Sequence, residues 1–134
     1  GYMTLRQLNF GYLDLSWHAR TEPFTGSVSE HEAEALRETS LFESLEGTLA
    51  STAFSHIFQG GYSAGYYSYK WAEVLDADAF ERFEEEGIFN ETVATDFAVV
   101  LSSGGTVAPD ELYKKFRGRE PKVDALLKRA GIAA

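Results

Sequence analysis

Residues 54–73 read FSHIFQGGYSAGYYSYKWAE, and this stretch decides how the whole chain is interpreted. Gly60 and Gly61 mark a break in local structure, and a pattern of helical period follows from about residue 62 to residue 86. Three phenols and a carboxylate recur there at i, i+4, i+7 and i+11, at Tyr62, Tyr66, Tyr69 and Glu73. Side chains with this spacing project from one face of a helix.

A stripe of tyrosines next to paired glycines is compatible with a ligand cleft. Each buried phenol needs a hydrogen-bond partner, whereas a wet cleft accepts several phenols and lets them donate to a carbonyl oxygen that gains negative charge. Gly60 and Gly61 allow close approach of a ligand to the backbone, and His56 offers a donor or an acceptor to a peptide. The same spacing also fits a packed core or interface with a plain Gly-Gly turn, so the spacing alone leaves both interpretations open.

The composition of the chain excludes several classes of function. With 134 residues, 44% of them apolar and 14% aromatic, the chain is expected to fold as one domain. The net charge of −9 opposes phosphate backbones and anionic lipid, so we expect neither nucleic acid nor a membrane as partner. The absence of cysteine excludes a thiol nucleophile and a cysteine-based zinc site. No secretory signal and no apolar run of membrane-spanning length is visible, and we expect a cytoplasmic protein.

Periodicity and helix-end signals predict an all-α fold of about six helices. The predicted segments are 3–19, about 27–42 with Ser27 or Ser29 as N-cap, 62–86, 90–101, 109–116 and 122–130. Residues 43–59 are compatible with either a helix or an irregular passage. The first helix carries two apolar stripes, which predicts burial on two sides. Since nothing upstream supplies a second layer, we expect either a fragment of a longer protein or a homodimer of this chain.

Residues 56–80 closely resemble the carboxy-terminal signature of the M3 family of zinc metallopeptidases, the family of the thimet oligopeptidase, oligopeptidase A and peptidyl-dipeptidase Dcp type. The resemblance extends over essentially the whole chain, with further agreement at residues 13–18, 85–89, 101–105, 116–121 and 124–127. It implies that residues 1–134 are the helical carboxy-terminal part of a zincin-type catalytic domain. In that family this part lies beside the zinc-binding helices and forms one wall of a channel for short peptides.

The resemblance also implies roles for individual residues. Tyr62 and Tyr69 match tyrosines that stabilise the tetrahedral intermediate, and we assign them as catalytic. The residues expected to bind substrate are His56, Gly60, Gly61 and Tyr66, with the glycines forming a flexible segment of the site.

The family's zinc motif, His-Glu-x-x-His, is missing from this chain. Residues 31–35 begin like it, but Ala35 stands where the second histidine would be, so His31 is interpreted as an exposed helix residue and His18 as a core or interface histidine. We expect zinc in the full-length parent, no metal bound by this chain, and no activity of the chain without its upstream catalytic half. The segment 46–52 lacks the proline and arginine expected there, which leaves its path open. The alternative is a metal-free helical module that binds peptides or a partner.

Overall fold

The computed structural model describes residues 1–132, and this part of the chain is helical without any strand, which confirms the predicted all-α class. It contains seven α-helices and one short 3₁₀-helix at Ser55–Ile57. The α-helices are α1 (Tyr2–His18), α2 (Val28–Leu36), α3 (Ala50–Ala53), α4 (Ser68–Glu86), α5 (Glu91–Ser103), α6 (Pro109–Arg117) and α7 (Asp124–Arg129). The chain divides into two compact units, Gly1–Lys70 and Trp71–Ala134. Among the described residues, no helix combines the length and apolar character that crossing a bilayer requires.

The first unit is built on the packing of α1 against α2. Leu13 and Asp14 of α1 are buried, and the indole N–H of Trp17 donates to the Ser51 hydroxyl at 2.7 Å. The apolar stripe of α1 that includes Tyr12 and Leu15 is only partly covered, because Tyr12 is 52% and Leu15 40% exposed. The expected burial of α1 on two sides is therefore not observed within residues 1–132.

Helix α2 is shorter than predicted. Ser27 caps it, as expected, by accepting from the backbone N–H of Glu30 at 3.5 Å. The helix ends at Leu36, and not near Phe42, where the Thr39 N–H bonds the Leu36 carbonyl three residues back and residues 37–39 form a turn. Ser and Thr hydroxyls that bond the local backbone compete with helix continuation, and Thr39 does so here. Phe42 is consequently 72% exposed.

A buried carboxylate organises the segment whose path the sequence left open. Glu32 of α2 accepts the backbone N–H groups of Ala50 and Ser51, the first residues of α3. A carboxylate at this position satisfies N–H groups that have no partner within the helix. Residues 50–57 thus form two short helical turns in place of one long helix.

The third predicted helix also begins later than expected, at Ser68 and not at Tyr62. Gly60 and Gly61 have φ angles of +74° and +79°, and Ala64 has a φ of +57°, a region that residues other than glycine rarely adopt. Asp14 accepts the N–H groups of Ala64 and Tyr66, each at 2.9 Å. The segment 60–67 is therefore a loop of successive turns that leads into α4.

In the second unit, α4, α5 and α6 share a small apolar core. Ala79, Val93 and Phe116 are its buried members, and Phe83 and Phe97 pack against them. The predicted starts of α5 and α6 and the stop of α6 are confirmed, whereas α5 continues to Ser103, two residues beyond its predicted end. Asn90 caps α5 by accepting from Thr92 and Val93, Pro109 opens α6, and Gly118 ends it with a φ of +74°.

Beside this core lies a network of buried charges. Asp78 is fully buried, and it accepts from Arg119 at 2.6 and 3.0 Å and from the Tyr113 hydroxyl. Arg117 is also largely buried and bonds Glu81 and Glu85. Burial alone would raise the pKa of Asp78, but hydrogen bonds from Arg119 and Tyr113 lower it. A hydrogen bond from Arg117 likewise lowers the pKa of Glu85.

We predict that the free energy of unfolding falls as the pH drops below about 5. A carboxylate with a lowered pKa in the folded chain stabilises it above its unfolded pKa of about 4, and this stabilisation disappears as the pH falls toward the folded pKa. Urea unfolding followed by circular dichroism measures the effect. Asp78→Asn should cost about 3 kcal/mol at neutral pH, because breaking a buried pair leaves charge uncompensated, and should flatten the acid dependence. An Asp78→Asn variant with the wild-type acid dependence would contradict this account.

Candidate functional site

Four of the residues singled out in the sequence lie together in the first unit. We call His56, Tyr62, Tyr66 and Tyr69 the tyrosine cluster. The ring centroids of Tyr62 and Tyr69 are 5.8 Å apart with nearly parallel planes, and those of Tyr66 and Tyr69 are 5.1 Å apart. The His56 ring lies 5.4 Å from Tyr62 and 6.3 Å from Tyr66. The three tyrosines that were predicted to share one helix face are thus brought together by a loop and the first turn of α4.

The tyrosine cluster is open to solvent and not sealed in an apolar interior. Tyr69 is 41% exposed, His56 is exposed, and Tyr62 and Tyr66 are half-buried. A Cβ atom built on Gly61 would meet no atom within 4 Å. Both predicted glycines border this open side, and their positive φ angles make other residues strained there.

The rings of Phe10 and Phe54 pack against the tyrosine cluster on one side. Phe10 of α1 stacks on Phe54 at 4.2 Å, and Phe54 stacks on His56 at 5.0 Å. Tyr66 packs edge-on against Phe54, with a centroid distance of 5.0 Å. Edge-to-face and offset-stacked contacts of this kind fix ring orientation as well as position. The cluster is therefore supported by a residue of α1, Phe10, that is far from it in the sequence.

The phenols of Tyr62 and Tyr69 act as a pair. A hydrogen bond with Tyr62 is the main cause that raises the pKa of Tyr69, and desolvation adds to it. A phenol is protonated at neutral pH even at its ordinary pKa of about 10. Each of the two stacked tyrosines therefore carries a hydroxyl proton that it can donate to a bound group.

Sequence reasoning missed Asp14, whose carboxylate holds the loop that carries the tyrosines. A usable signal was present, since Asp14 follows Phe10 by four residues and so shares its face of α1. An acidic residue on the inward face of an amphipathic helix needs donors from another element.

The two remaining histidines, His18 and His31, make their contacts outside the tyrosine cluster. His31 is half-buried and not exposed as expected, because its ring packs 4.0 Å from that of Trp17 and its Nε2 lies 3.0 Å from the Ser16 hydroxyl. Burial is the main cause that lowers the pKa of His31. His18 Nδ1 lies 2.9 Å from Asp14 Oδ1, in a partly buried position.

The side chains present in this chain do not fit a zinc site. Within residues 1–132, no group of three His, Asp or Glu side chains is placed so that it could hold a metal ion. A catalytic zinc takes three protein ligands. The described residues therefore offer hydroxyl, imidazole and backbone groups, and do not by themselves form a set of metal ligands.

Comparison with known proteins defines the class to which this helical unit and its tyrosine cluster belong. The family model described as peptidase family M3 matches residues 1–132. Oligopeptidase A of Escherichia coli (strain K12) is 51% identical over 130 residues, which cover 96% of this chain and 19% of the relative. The chain belongs to peptidase family M3.

Other relatives extend across bacteria and plants. The probable cytosolic oligopeptidase A of Arabidopsis thaliana is 41% identical, over 100% of this chain and 20% of the relative. The dipeptidyl carboxypeptidase of Salmonella typhimurium is 34% identical, over 98% of this chain and 20% of the relative. The chain thus spans about a fifth of the length of the curated relatives it matches.

We predict that Tyr62→Phe lowers the pKa of Tyr69 toward its ordinary value of about 10, because the substitution removes the hydrogen bond that raises it. NMR titration of chain labelled with ¹³C at tyrosine Cζ measures the shift, with Tyr69→Phe identifying the signal. Tyr2→Phe is the control, since Tyr2 is exposed and its ring contacts Phe42 outside the cluster. An unchanged Tyr69 pKa in Tyr62→Phe would show that the two phenols are not coupled.

Proposed function

We propose that this chain is the carboxy-terminal, substrate-facing part of a zinc-dependent oligopeptidase or peptidyl-dipeptidase that hydrolyses short peptides. Membership of peptidase family M3 supports the reaction class. The observation that carries the proposal for this chain is the solvent-open tyrosine cluster, which presents several hydroxyl groups and a histidine side by side. An open array of donors is suited to the backbone of an extended peptide.

In this proposal the Tyr62 and Tyr69 pair is catalytic. Peptide hydrolysis passes through a tetrahedral intermediate whose oxygen carries negative charge, and donors placed in advance stabilise it more than they stabilise the substrate. Their phenol hydroxyls lie side by side and can donate to that oxygen.

The other members of the site bind the peptide. His56 and Tyr66 supply polar groups along the substrate backbone. Gly60 and Gly61 leave the backbone accessible and give the loop freedom to adjust, since Gly61 has open space where a side chain would stand.

We assign the zinc of this peptidase to polypeptide outside the chain, on its upstream catalytic half. The assignment is supported by the length of the relatives, of which the chain covers about a fifth, and by the partly exposed Tyr12 and Leu15 on α1, which offer apolar surface for that half. When bound, zinc would supply a polarised carbonyl and an activated water.

We also propose that the full-length protein is cytoplasmic. This location is supported by the relative named as a probable cytosolic oligopeptidase A. A relative from the same plant is named as organellar, so localisation of the full-length protein by fluorescent fusion is the direct test.

We predict that Tyr69→Phe in the full-length protein lowers kcat by about 100- to 1,000-fold and changes KM little, because the lost hydroxyl acts on charge that develops in the transition state. Steady-state cleavage of a quenched fluorescent peptide measures both constants. Tyr67→Phe is a matched control, since Tyr67 is a neighbouring exposed phenol. An undiminished kcat in Tyr69→Phe would remove Tyr69 from the reaction.

We predict that residues 1–134 alone, supplied with zinc, cleave no peptide, whereas the full-length protein does so and loses this activity on addition of a chelator. The same quenched peptide reports both results. Chelator-resistant cleavage would contradict a zinc peptidase. Binding of peptide by a full-length protein that lacks hydrolysis would favour the alternative of a metal-free binding module. Sedimentation of the isolated chain then decides whether its exposed α1 face pairs two copies.

A further inference from the structure

Asp14 is the one fully buried acid of the first unit in the described chain, and its contacts lie in the loop that carries the tyrosines. Its Oδ1 accepts the backbone N–H of Ala64, and its Oδ2 accepts that of Tyr66. His18 Nδ1 approaches Oδ1 at 2.9 Å. A buried carboxylate is tolerated when donors satisfy both oxygens, and here backbone groups on either side of Gly65 supply two of them.

The loop segment that Asp14 holds is strained. Ala64 has a φ of +57°, which places its Cβ close to the backbone and costs on the order of 1–3 kcal/mol in such positions. Strain of this kind persists only where the surroundings determine the conformation. The Ser63 hydroxyl donates to the carbonyl of buried Ile57 at 2.8 Å and provides a second anchor.

Three residues on one side of α1 contact residues 64–67. Phe10 stacks under Phe54 and lies edge-on to Tyr66, and Asp14 follows it by four residues. Between them, Gly11 brings α1 close to the backbone of Tyr67, since a Cβ on Gly11 would lie 3.7 Å from the Tyr67 Cα. Helix α1 therefore contacts this segment in three ways: through the Phe10 ring, through its backbone at Gly11 and through the Asp14 carboxylate.

We propose that Asp14 is a positioning residue for the peptidase reaction. By fixing the N–H groups of Ala64 and Tyr66, it sets the path of the chain between Tyr62 and Tyr69 and so the placement of both phenols. The inference rests on the proposed function, because it assigns to Asp14 the geometry of the donors that act on the substrate. Displacements of about 1 Å at a reacting group cost about 100-fold in rate.

The test uses Asp14→Asn, which keeps the volume of the side chain but replaces one acceptor oxygen by a donor. In residues 1–134, we expect hydrogen exchange at the Ala64 and Tyr66 amides to accelerate about tenfold or more, because one of the two bonds is lost. We also expect the pKa of Tyr69 to fall as its bond with Tyr62 loosens. In the full-length protein, we expect kcat to fall about 10- to 100-fold with little change in KM.

Asp78→Asn is the matched control, because it changes an equally buried aspartate within the second unit. It should lower stability but leave the exchange of the Ala64 and Tyr66 amides, the Tyr69 pKa and kcat as in the wild type. Ala64→Gly should restore kcat at least about threefold in the Asp14→Asn background, since glycine adopts a positive φ without strain, and should restore nothing in the Asp78→Asn background.

Two results would overturn the inference. One is an Asp14→Asn variant with wild-type amide exchange and kcat, and the other is an equal loss of kcat in Asp78→Asn. If the full-length wild type hydrolyses no peptide, the proposed function fails, and the amide exchange and Tyr69 pKa still show whether Asp14 holds the loop.

Discussion

A carboxylate without water around it must find donors, and in the first unit the Asp14 carboxylate finds them in the backbone of a distant loop. This constraint explains why residues 60–67 do not continue the helix that follows them. A helix from Tyr62 onward would bond the Tyr66 N–H to its own carbonyl, and Asp14 would lose that partner. The two hydrogen bonds from the loop to Asp14 and the bond from Ser63 to Ile57 hold the segment between Tyr62 and α4 in its turns.

The same solution recurs at other helix ends of this chain. Glu32 of α2 accepts the first N–H groups of α3, and Asp78 of α4 accepts from Arg119 beyond the end of α6. Glu32 bonds backbone groups at the start of another helix, whereas Asp78 bonds the guanidinium group of Arg119. Such contacts contribute specificity as well as stability, because a misplaced partner leaves an unpaired charge out of water.

The tyrosine cluster combines a rigid base with an open surface. Its base is aromatic stacking between α1 and residues 54–56, and its surface consists of phenols and a histidine ring that reach solvent. Rigid support with accessible donors is what stabilisation of a charged intermediate requires, because donors that must reorganise during the reaction stabilise it less. Family M3 membership and this arrangement are the two observations behind the proposed peptide-binding surface, and the chain spans about a fifth of the length of its relatives.

Local patterns predicted the all-α class, α1 to within one residue at each end, a cap at Ser27 or Ser29, the helix start at Asn90 and the stop at Gly118, because periodicity and capping are local properties. The sequence also pointed to His56, Tyr62, Tyr66 and Tyr69, which the fold brings together. The end of α2 at Leu36, the start of α4 at Ser68 and the packing of His31 on Trp17 depend on contacts between segments that are distant in the sequence. The loop is fixed by Asp14, fifty residues before Ala64, and no local pattern reports a hydrogen bond across that separation.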